Sequence, residues 1–532
     1  MPARLLIAFL ALLFLAACAG SPADSPSGTP TPPLPGATAP KADGASTTAS
    51  PAPTSPDRPT PEIPDARPPG VVAAPAGMGP QRWTGQSLQW GACPAGARPE
   101  AECAEVLAPL DWTDVDGEAV TLFLTRIPAT RTPALGTLFV NPGGPGEPGA
   151  PLAGAFRRQG LEQYDIVGWD PRGTGRSTPV VCARGEAMDD YLSIDMTPDG
   201  DAERAALIES HRAFGQSCLD GSGRLLQHIS TLDTVRDLDL LRGLVGDEKL
   251  SYFGYSYGTD IGSRYAQEFP DRVGHIALDG AVNVSGSEVL QVAGFERALG
   301  AFATWCAERQ CGLGRTPVAV TGSITGLFDA LDAEPIPVGN RELNQTLAVT
   351  GVFMMLYAPS DNWGTLSAAV EQARGGDGAL LLRLADFYNA RANDGSYDTR
   401  QPAFVAIRCL DRADDGIAGA ERRAAEEIRQ APILGPYSGP SYDCPLWPVP
   451  PIPKPEPVVA AGAAPILVIG TTGDSATPYE FAVGMADQLE SGILLTYEGS
   501  GHSAYGGASS CVNEAVVGYF TGPPPADRTV CR

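Results

Sequence analysis

Short, nearly continuous apolar runs alternate along the chain with longer stretches whose apolar positions recur at helical spacing. The runs lie at 104–110, 119–127, 136–140, 164–169, 249–253, 275–278, 465–469 and 493–497. Runs without polar alternation predict strands covered on both faces. Between them, 231–245 keeps Leu232, Val235, Leu238, Leu241, Leu244 and Val245 on one side, with Ser230 or Thr231 as its cap, and predicts a helix. Strand and helix in alternation predict an α/β class with a mostly parallel, doubly wound sheet. From 283 to 463 the rhythm breaks: helical stretches at 290–306, 363–374, 379–392 and 419–430 precede a proline-rich return at 445–457. This interval predicts an inserted, mainly helical lid.

The ends carry different information. Residues 1–17 hold one basic residue, Arg4, and then an apolar stretch too short to span a bilayer with comfort, as a signal peptide does. Leu15-Ala16-Ala17-Cys18 looks like the lipobox of bacterial lipoproteins, which predicts lipidation at Cys18; the alternative is an ordinary secretory signal beside a cysteine. Residues 19–80 contain 17 of the 51 prolines and almost no aromatics, so 18–82 is expected to be a disordered tether. The predicted layout is then core at 83–282, lid at 283–463 and core again at 464–532.

Without Cys18, the 11 cysteines become 10, an even number on an exported chain, which favours disulfides over metal sites. Short separations suggest Cys93 with Cys103, Cys182 with Cys218, Cys306 with Cys311, Cys409 with Cys444, and Cys511 with Cys531. A net charge of −25 argues against nucleic acid or an anionic membrane surface as partner and suits a cationic ligand.

Gly254-Tyr255-Ser256-Tyr257-Gly258 stands between an apolar run and a helical segment. A Gly-x-Ser-x-Gly turn from strand to helix holds its serine in a strained conformation above the sheet, and the flanking glycines let the two elements cross closely. Ser256 is the candidate nucleophile, and the Tyr257 amide can donate to an oxyanion. Of four histidines, His211, His228 and His275 read as surface or packing residues, whereas His502 lies in a glycine-flanked loop after the last predicted strand. Asp474, in the loop after the preceding strand, is the expected acid, with Asp279 as its rival; the order Ser256, Asp474, His502 suits the α/β-hydrolase fold. In Asn141-Pro142-Gly143-Gly144-Pro145-Gly146, Gly144 is the first candidate for the second oxyanion donor and Gly143 the next, because Pro145 has no amide hydrogen.

With these residues placed, the chain resembles the exported tripeptidyl aminopeptidases of actinobacteria, in the prolyl aminopeptidase branch of the α/β-hydrolases. The resemblance runs from about Trp90 to Arg532. It is carried by the two glycine motifs above, by Asp165-Ile166-Val167-Gly168-Trp169-Asp170-Pro171-Arg172-Gly173-Thr174-Gly175, by Arg236-Asp237-Leu238-Asp239, by Phe269-Pro270-Asp271-Arg272-Val273 and by Asp474-Ser475-Ala476-Thr477-Pro478. The chain departs from that family at Gly146-Glu147-Pro148-Gly149, where glycine and serine are usual. The resemblance implies release of short peptides, often tripeptides, from a free N-terminus by acyl-enzyme chemistry, without metal or organic cofactor. A free ammonium then needs carboxylates, for which Glu147 and the cluster Asp411, Asp414 and Asp415 are candidates. A carboxylesterase of the same fold is the alternative, since fold and triad do not choose between amide and ester.

Overall fold

The computed structural model describes residue 63 and residues 66–412, 415–452, 454, 457–507 and 509–532. The leader at 1–17, Cys18, residues 19–62, 64 and 65 of the expected tether and Asp414 lie outside the described residues. The last part of that stretch, 66–82, is ordered where a disordered tether is expected: Val71 is buried in the sheet's first core, Val72 bridges to Ala119 and Arg82 pairs with Asp116, so the folded part begins before 83.

Ten strands form one sheet. They are β1 (Gly91–Ala92), β2 (Glu102–Pro109), β3 (Ala119–Ile127), β4 (Gly136–Asn141), β5 (Tyr164–Asp170), β6 (Leu250–Tyr255) and β7 (Val273–Asp279), then β10 (Ile466–Gly473), β11 (Gly492–Ser500) and β12 (Thr529–Cys531). A small separate hairpin supplies β8 (Ile336–Val338) and β9 (Arg341–Leu343). The sheet order is β1-β2-β3-β5-β4-β6-β7-β10-β11-β12. Pairing is antiparallel as far as β5 and parallel from β5 to β12.

The apolar strands bury both faces by simple alternation. Phe139, Tyr252, Ile276, Leu278, Ile466 and Val468 enter one core, while Leu138, Val140, Phe253, Ala277, Leu467 and Ile469 enter the other. Helices cover each face. The first core is closed by α1 (Asp201–Ser222), α2 (Thr231–Val245) and α3 (Gly258–Glu268), through Phe214, Leu238, Leu241, Ile261 and Tyr265. In α2, Ser230 forms a capping box with Asp233, and Gly246 ends the helix in the left-handed region at φ 91°.

The stretch between β7 and β10 divides into two parts. α4 (Gln291–Arg309), α5 (Pro317–Ala333), α6 (Gln345–Tyr357), α7 (Trp363–Arg374) and α8 (Ala379–Tyr388) share a core of their own, built from residues such as Leu299, Phe302, Ile324, Phe328, Val352 and Leu366. By contrast, α9 (Arg400–Asp411) and the return through Trp447, Val449 and Val458 join the first core of the sheet. Between them lies α10 (Gly416–Gln430), of which only Gly416 is buried. The chain closes with α11 (Tyr479–Gln488) on the first core and α12 (Ser510–Thr521) on the second. Disulfides join Cys93 to Cys103, Cys182 to Cys218, Cys306 to Cys311, Cys409 to Cys444 and Cys511 to Cys531.

Arg172, in the loop after β5, ties several of these pieces together while fully buried. Its Nε and Nη2 donate to Asp237 at 2.7 and 2.6 Å. The remaining donors reach the carbonyls of Pro109, Leu110 and His228. Every guanidinium hydrogen therefore has an acceptor, and Trp112 donates to Asp237 as well. Burial pushes the Asp237 carboxyl up against the opposing pull of Arg172. Removing one partner leaves a buried charge without compensation, so Arg172→Met is expected to destabilise the fold by about 3–5 kcal/mol. Urea unfolding of the two proteins measures this; a loss within the error of the extrapolation would contradict it.

Candidate active site

β6 ends at Tyr255, and α3 begins at Gly258. Ser256 between them has φ 52°, in the left-handed region that a side chain disfavours. The turn is held by Ser256 N donating to the Asp279 carbonyl at 2.8 Å and by Thr259 donating twice to the Ser256 carbonyl. The crossing leaves no room for side chains: a Cβ on Gly254 would lie 2.4 Å from the Gly258 carbonyl oxygen. α3 directs its positive N-terminal end at this turn.

The loops after β10 and β11 bring Asp474 and His502 together. His502 Nδ1 donates to Asp474, with its two oxygens at 2.9 and 3.0 Å. The carboxylate also accepts the amides of Ala476, Thr477 and Ser503 and the Thr477 hydroxyl. Those donors fix it in one orientation. Burial opposes the imidazolium, but the charge and hydrogen bond of Asp474, with a smaller pull from Asp279, outweigh it and raise His502 above its ordinary 6.5. His502 Nε2 is buried and makes no hydrogen bond among the described residues. Thr477 Oγ1 lies 3.2 Å from His502 Nδ1 as well as bonding Asp474, a role that its place in the motif Asp474-Ser475-Ala476-Thr477-Pro478 does not by itself disclose.

Asp279, the rival acid, bonds neither ring nitrogen. It accepts the amides of Ala504 and Tyr505 at 2.8 to 3.1 Å and so shapes the loop that carries His502. Burial pushes its carboxyl up to about 6 in spite of those amides and the nearby His502.

The loop after β4 lies against the elbow. A Cβ on Gly143 would come within 2.6 Å of the Tyr255 carbonyl oxygen and 2.9 Å of Ser256 Cβ, so glycine is required there. The Gly143 amide donates to Asn141 Oδ1 at 2.9 Å. Among the described residues, the amides of Gly144 and Tyr257 donate to no protein group. The inserted region touches the site on two sides. The His502 amide donates to the Tyr357 carbonyl at 3.0 Å at the end of α6, and the Tyr357 ring meets the imidazole edge-on at 5.5 Å. On the other side Gly146 abuts the start of α9, where a Cβ would lie 2.6 Å from the Arg400 carbonyl oxygen.

The acidic candidates for an amine site separate. Glu147 stays partly exposed and pairs with Arg400 at 3.4 Å, while Arg400 also binds Asp398 at 2.8 Å. Burial by the surrounding loops raises the Glu147 carboxyl despite Arg400. Asp411 is placed otherwise than an amine-binding role requires. It is 4% exposed, and its oxygens are taken by Thr231 N and Oγ1, with Lys454 nearby. Asp415 is on the surface beside Arg422. His211 is a buried residue of α1 paired with Asp443 at 2.6 Å, and His275 lines a cavity of about 540 Å³ at the opposite, N-terminal end of the strands, with Thr137, Tyr164 and Asp247.

The sheet, its covering helices and the strand–turn–helix around Ser256 define an α/β-hydrolase. The family described as TAP-like protein matches residues 431–531. Serine protease Hip1 of Mycobacterium tuberculosis is 36% identical over 475 residues, covering 83% of this chain and 90% of that protein. Carboxylesterase B of the same species is 37% identical over 450 residues, 80% and 86% of the two chains. Tripeptidyl aminopeptidase of Streptomyces lividans is 28% identical over 452 residues, 81% and 83%. The chain belongs to the tripeptidyl-aminopeptidase-type α/β-hydrolases and is an enzyme, a hydrolase of that family.

If Asp474 orients His502, Asp474→Asn lowers kcat on the order of 10⁴-fold by favouring the wrong tautomer, and Asp279→Asn does not. Reversal of that order would make Asp279 the acid. The base acts neutral, so kcat/KM of the wild type rises with pH through a limb above 6.5, the ordinary value that His502 exceeds. Stability runs the other way: a raised histidine pKa contributes fully below the unfolded value and is lost as pH rises through the folded one. A pH–rate profile with its limb below 6.5 would contradict the assignment.

Proposed function

We propose that the protein is a serine exopeptidase that releases short peptides, chiefly tripeptides, from free N-termini. Ser256 attacks the scissile carbonyl, and His502 Nε2 takes the hydroxyl proton and passes it to the departing amine. Asp474 holds the imidazole and stabilises its charged form. The amides of Gly144 and Tyr257 receive the negative charge that develops on the carbonyl oxygen. Water, activated by the same histidine, then cleaves the acyl-serine ester and frees the peptide as a carboxylic acid. The observation that carries this reading is the Asp474–His502 pair at 2.9 Å, whose outer nitrogen is left without a partner among the described residues, at the C-terminal end of the parallel strands where β6 is followed by a positive-φ serine.

Action at a terminus is supported by the inserted region, which rests on both the His502 loop and the oxyanion loop and so narrows the approach to Ser256. Glu147 and Asp398 share one guanidinium, that of Arg400, which leaves one negative charge in excess at this rim. An ammonium suits such a rim, because charge-assisted bonds are favoured where solvent is partly excluded. The tripeptidyl aminopeptidase among the relatives points the same way. Ester hydrolysis is the second reading, favoured by the similarity to carboxylesterase B.

A free-amine tripeptide anilide, its N-acetylated twin and a short-chain p-nitrophenyl ester separate the two. The peptidase reading expects the free amine to exceed the acetylated form by at least tenfold in kcat/KM, with Glu147→Gln narrowing the gap. Equal rates on both anilides, with the ester fastest, would establish the esterase reading instead.

We also propose that the mature chain is exported and anchored on the outer face of the cytoplasmic membrane by lipid at Cys18. No described helix is long and apolar enough to cross a membrane. Stable anchoring by lipid needs more than one acyl chain, which a diacylated N-terminal cysteine supplies. Wild type is expected to partition into detergent and Cys18→Ser into the aqueous phase; identical partitioning would remove the anchor.

A further inference from the structure

A chain of buried hydrogen bonds runs from α9 to the residue after the candidate nucleophile. Asp411 closes α9 and reaches the first turn of α2, where Thr231 N donates to its Oδ1 at 2.9 Å and Thr231 Oγ1 donates to its Oδ2. A carboxylate satisfies a free amide at a helix start and is favoured by the helix dipole. The same Thr231 Oγ1 lies 2.7 Å from the Tyr257 hydroxyl. A threonine hydroxyl has one hydrogen. Since Thr231 gives it to Asp411, Tyr257 must donate to Thr231, and the chain has a fixed direction from Tyr257 through Thr231 to Asp411.

Solvent does not compete along this path. Thr231 is fully buried, Asp411 is 4% exposed and Tyr257 is 8% exposed. Charge is balanced behind it: Lys454, on the proline-rich return, binds Asp260 and stands 3.6 Å from Asp411, while Arg264 donates to Asp260 at 2.6 Å. Asp411 therefore holds a defined place between the inserted region, the start of α2 and the base of α3.

We propose that Asp411 is a positioning residue for the oxyanion site. Through Thr231 it fixes the Tyr257 ring, and the ring fixes the backbone whose amide faces the charge developing during attack by Ser256. The inference rests on the reading of Ser256 as nucleophile and Tyr257 as oxyanion donor. Oxyanion donors act only when aimed at the place the charge will occupy, so a small rotation of this peptide is felt in the transition state and little in substrate binding.

Asp411→Asn preserves size but reverses the chain: its amide group donates to Thr231 Oγ1, the threonine hydrogen turns to Tyr257, and the Tyr257 hydroxyl loses its acceptor. The test compares wild type, Asp411→Asn, Tyr257→Phe and the double variant in the full chain. All are first titrated with a serine-directed fluorophosphonate, which counts competent nucleophile. Deleting an oxyanion donor costs about 10²–10³ in kcat, so misaiming one is expected to cost Asp411→Asn about tenfold with KM changed less than about twofold. A peptide boronate, which mimics the tetrahedral adduct, should bind more weakly by the same factor. The double variant should be no slower than Tyr257→Phe, because both changes cut one chain. Should Asp411→Asn give too little folded protein, the isosteric Thr231→Val must show the same split. Wild-type kcat in the variants, a loss confined to KM, or losses that multiply in the double variant would overturn the proposal. Failure of the wild type to titrate would overturn the nucleophile reading itself.

Discussion

Parallel pairing at one level of the sheet is the constraint on which the remaining structure depends. Asn141 pairs with Gly254, Gly254 with Leu278, Tyr255 with Asp279, and Asp279 with Ile469. The strands all point the same way, so the loops that leave them emerge side by side. Those loops carry the oxyanion glycines, Ser256, Gly280, Asp474 and His502. A slip of one residue between β6 and β7 would turn alternate side chains to the opposite core and would separate the Ser256 amide from the Asp279 carbonyl that holds it. The two apolar cores therefore do more than stabilise the sheet: they make that register the one that buries both faces.

Buried charge is handled in different ways in different places. Arg172 has every hydrogen accepted, and its surroundings are closed. Asp279 is buried with only amides and the pull of the nearby His502, and its carboxyl rises to about 6 because burial outweighs both. Asp474 has both oxygens bonded, whereas His502 is held through Nδ1 and leaves Nε2 without a partner among the described residues. A second histidine–aspartate pair, His211 with Asp443, has a similar contact at 2.6 Å, yet its neighbours are Tyr191, Arg408 and Ser441 rather than a strained turn at a strand end. Geometry of the pair alone is thus not what makes a site; its place above parallel strands is.

Strands β2 to β7, β10 and β11 are readable because their apolar runs are short and bounded by turn residues, and β3 and α2 begin and end where their patterns do, whereas β1, β8, β9 and β12, of two or three residues each, carry no such run. Ser256, Asp474 and His502 were singled out for the same reason, as polar residues just beyond such runs. Much of the inserted region was not legible. α6 is apolar on nearly every side, since it sits between α5, α8 and α4, and so offers no polar stripe to reveal its period. α9 was missed because its apolar face packs on the core of the sheet, which local spacing does not disclose. Asp411 is misplaced by the sequence on the same ground: as one of a cluster of acidic residues it reads as a carboxylate for a substrate ammonium, and only the approach of α2 shows that it is enclosed and already bonded. Thr477 could have been weighed by its position three residues after Asp474, where a hydroxyl can turn back on the carboxylate.

The membership of α9 in the sheet's own core has a bearing on how this architecture can be rearranged. The inserted stretch is not a cassette with two clean ends. Residues 291–388 supply most of a second interior, which Ala431, Leu434 and Ala476 complete, so exchange of that body between relatives leaves the two cores of the sheet in place but reaches the His502 loop through Tyr357. Residues 400–411 are wall and rim at once: Val405, Ile407 and Leu410 face the core, the Arg400 end meets the oxyanion loop, and Cys409 is stapled to Cys444. A chimera cut at the outer limits of the insertion would open the core it meant to leave alone, so variation in what the cleft accepts has a natural seam at residues 389–399, between α8 and α9.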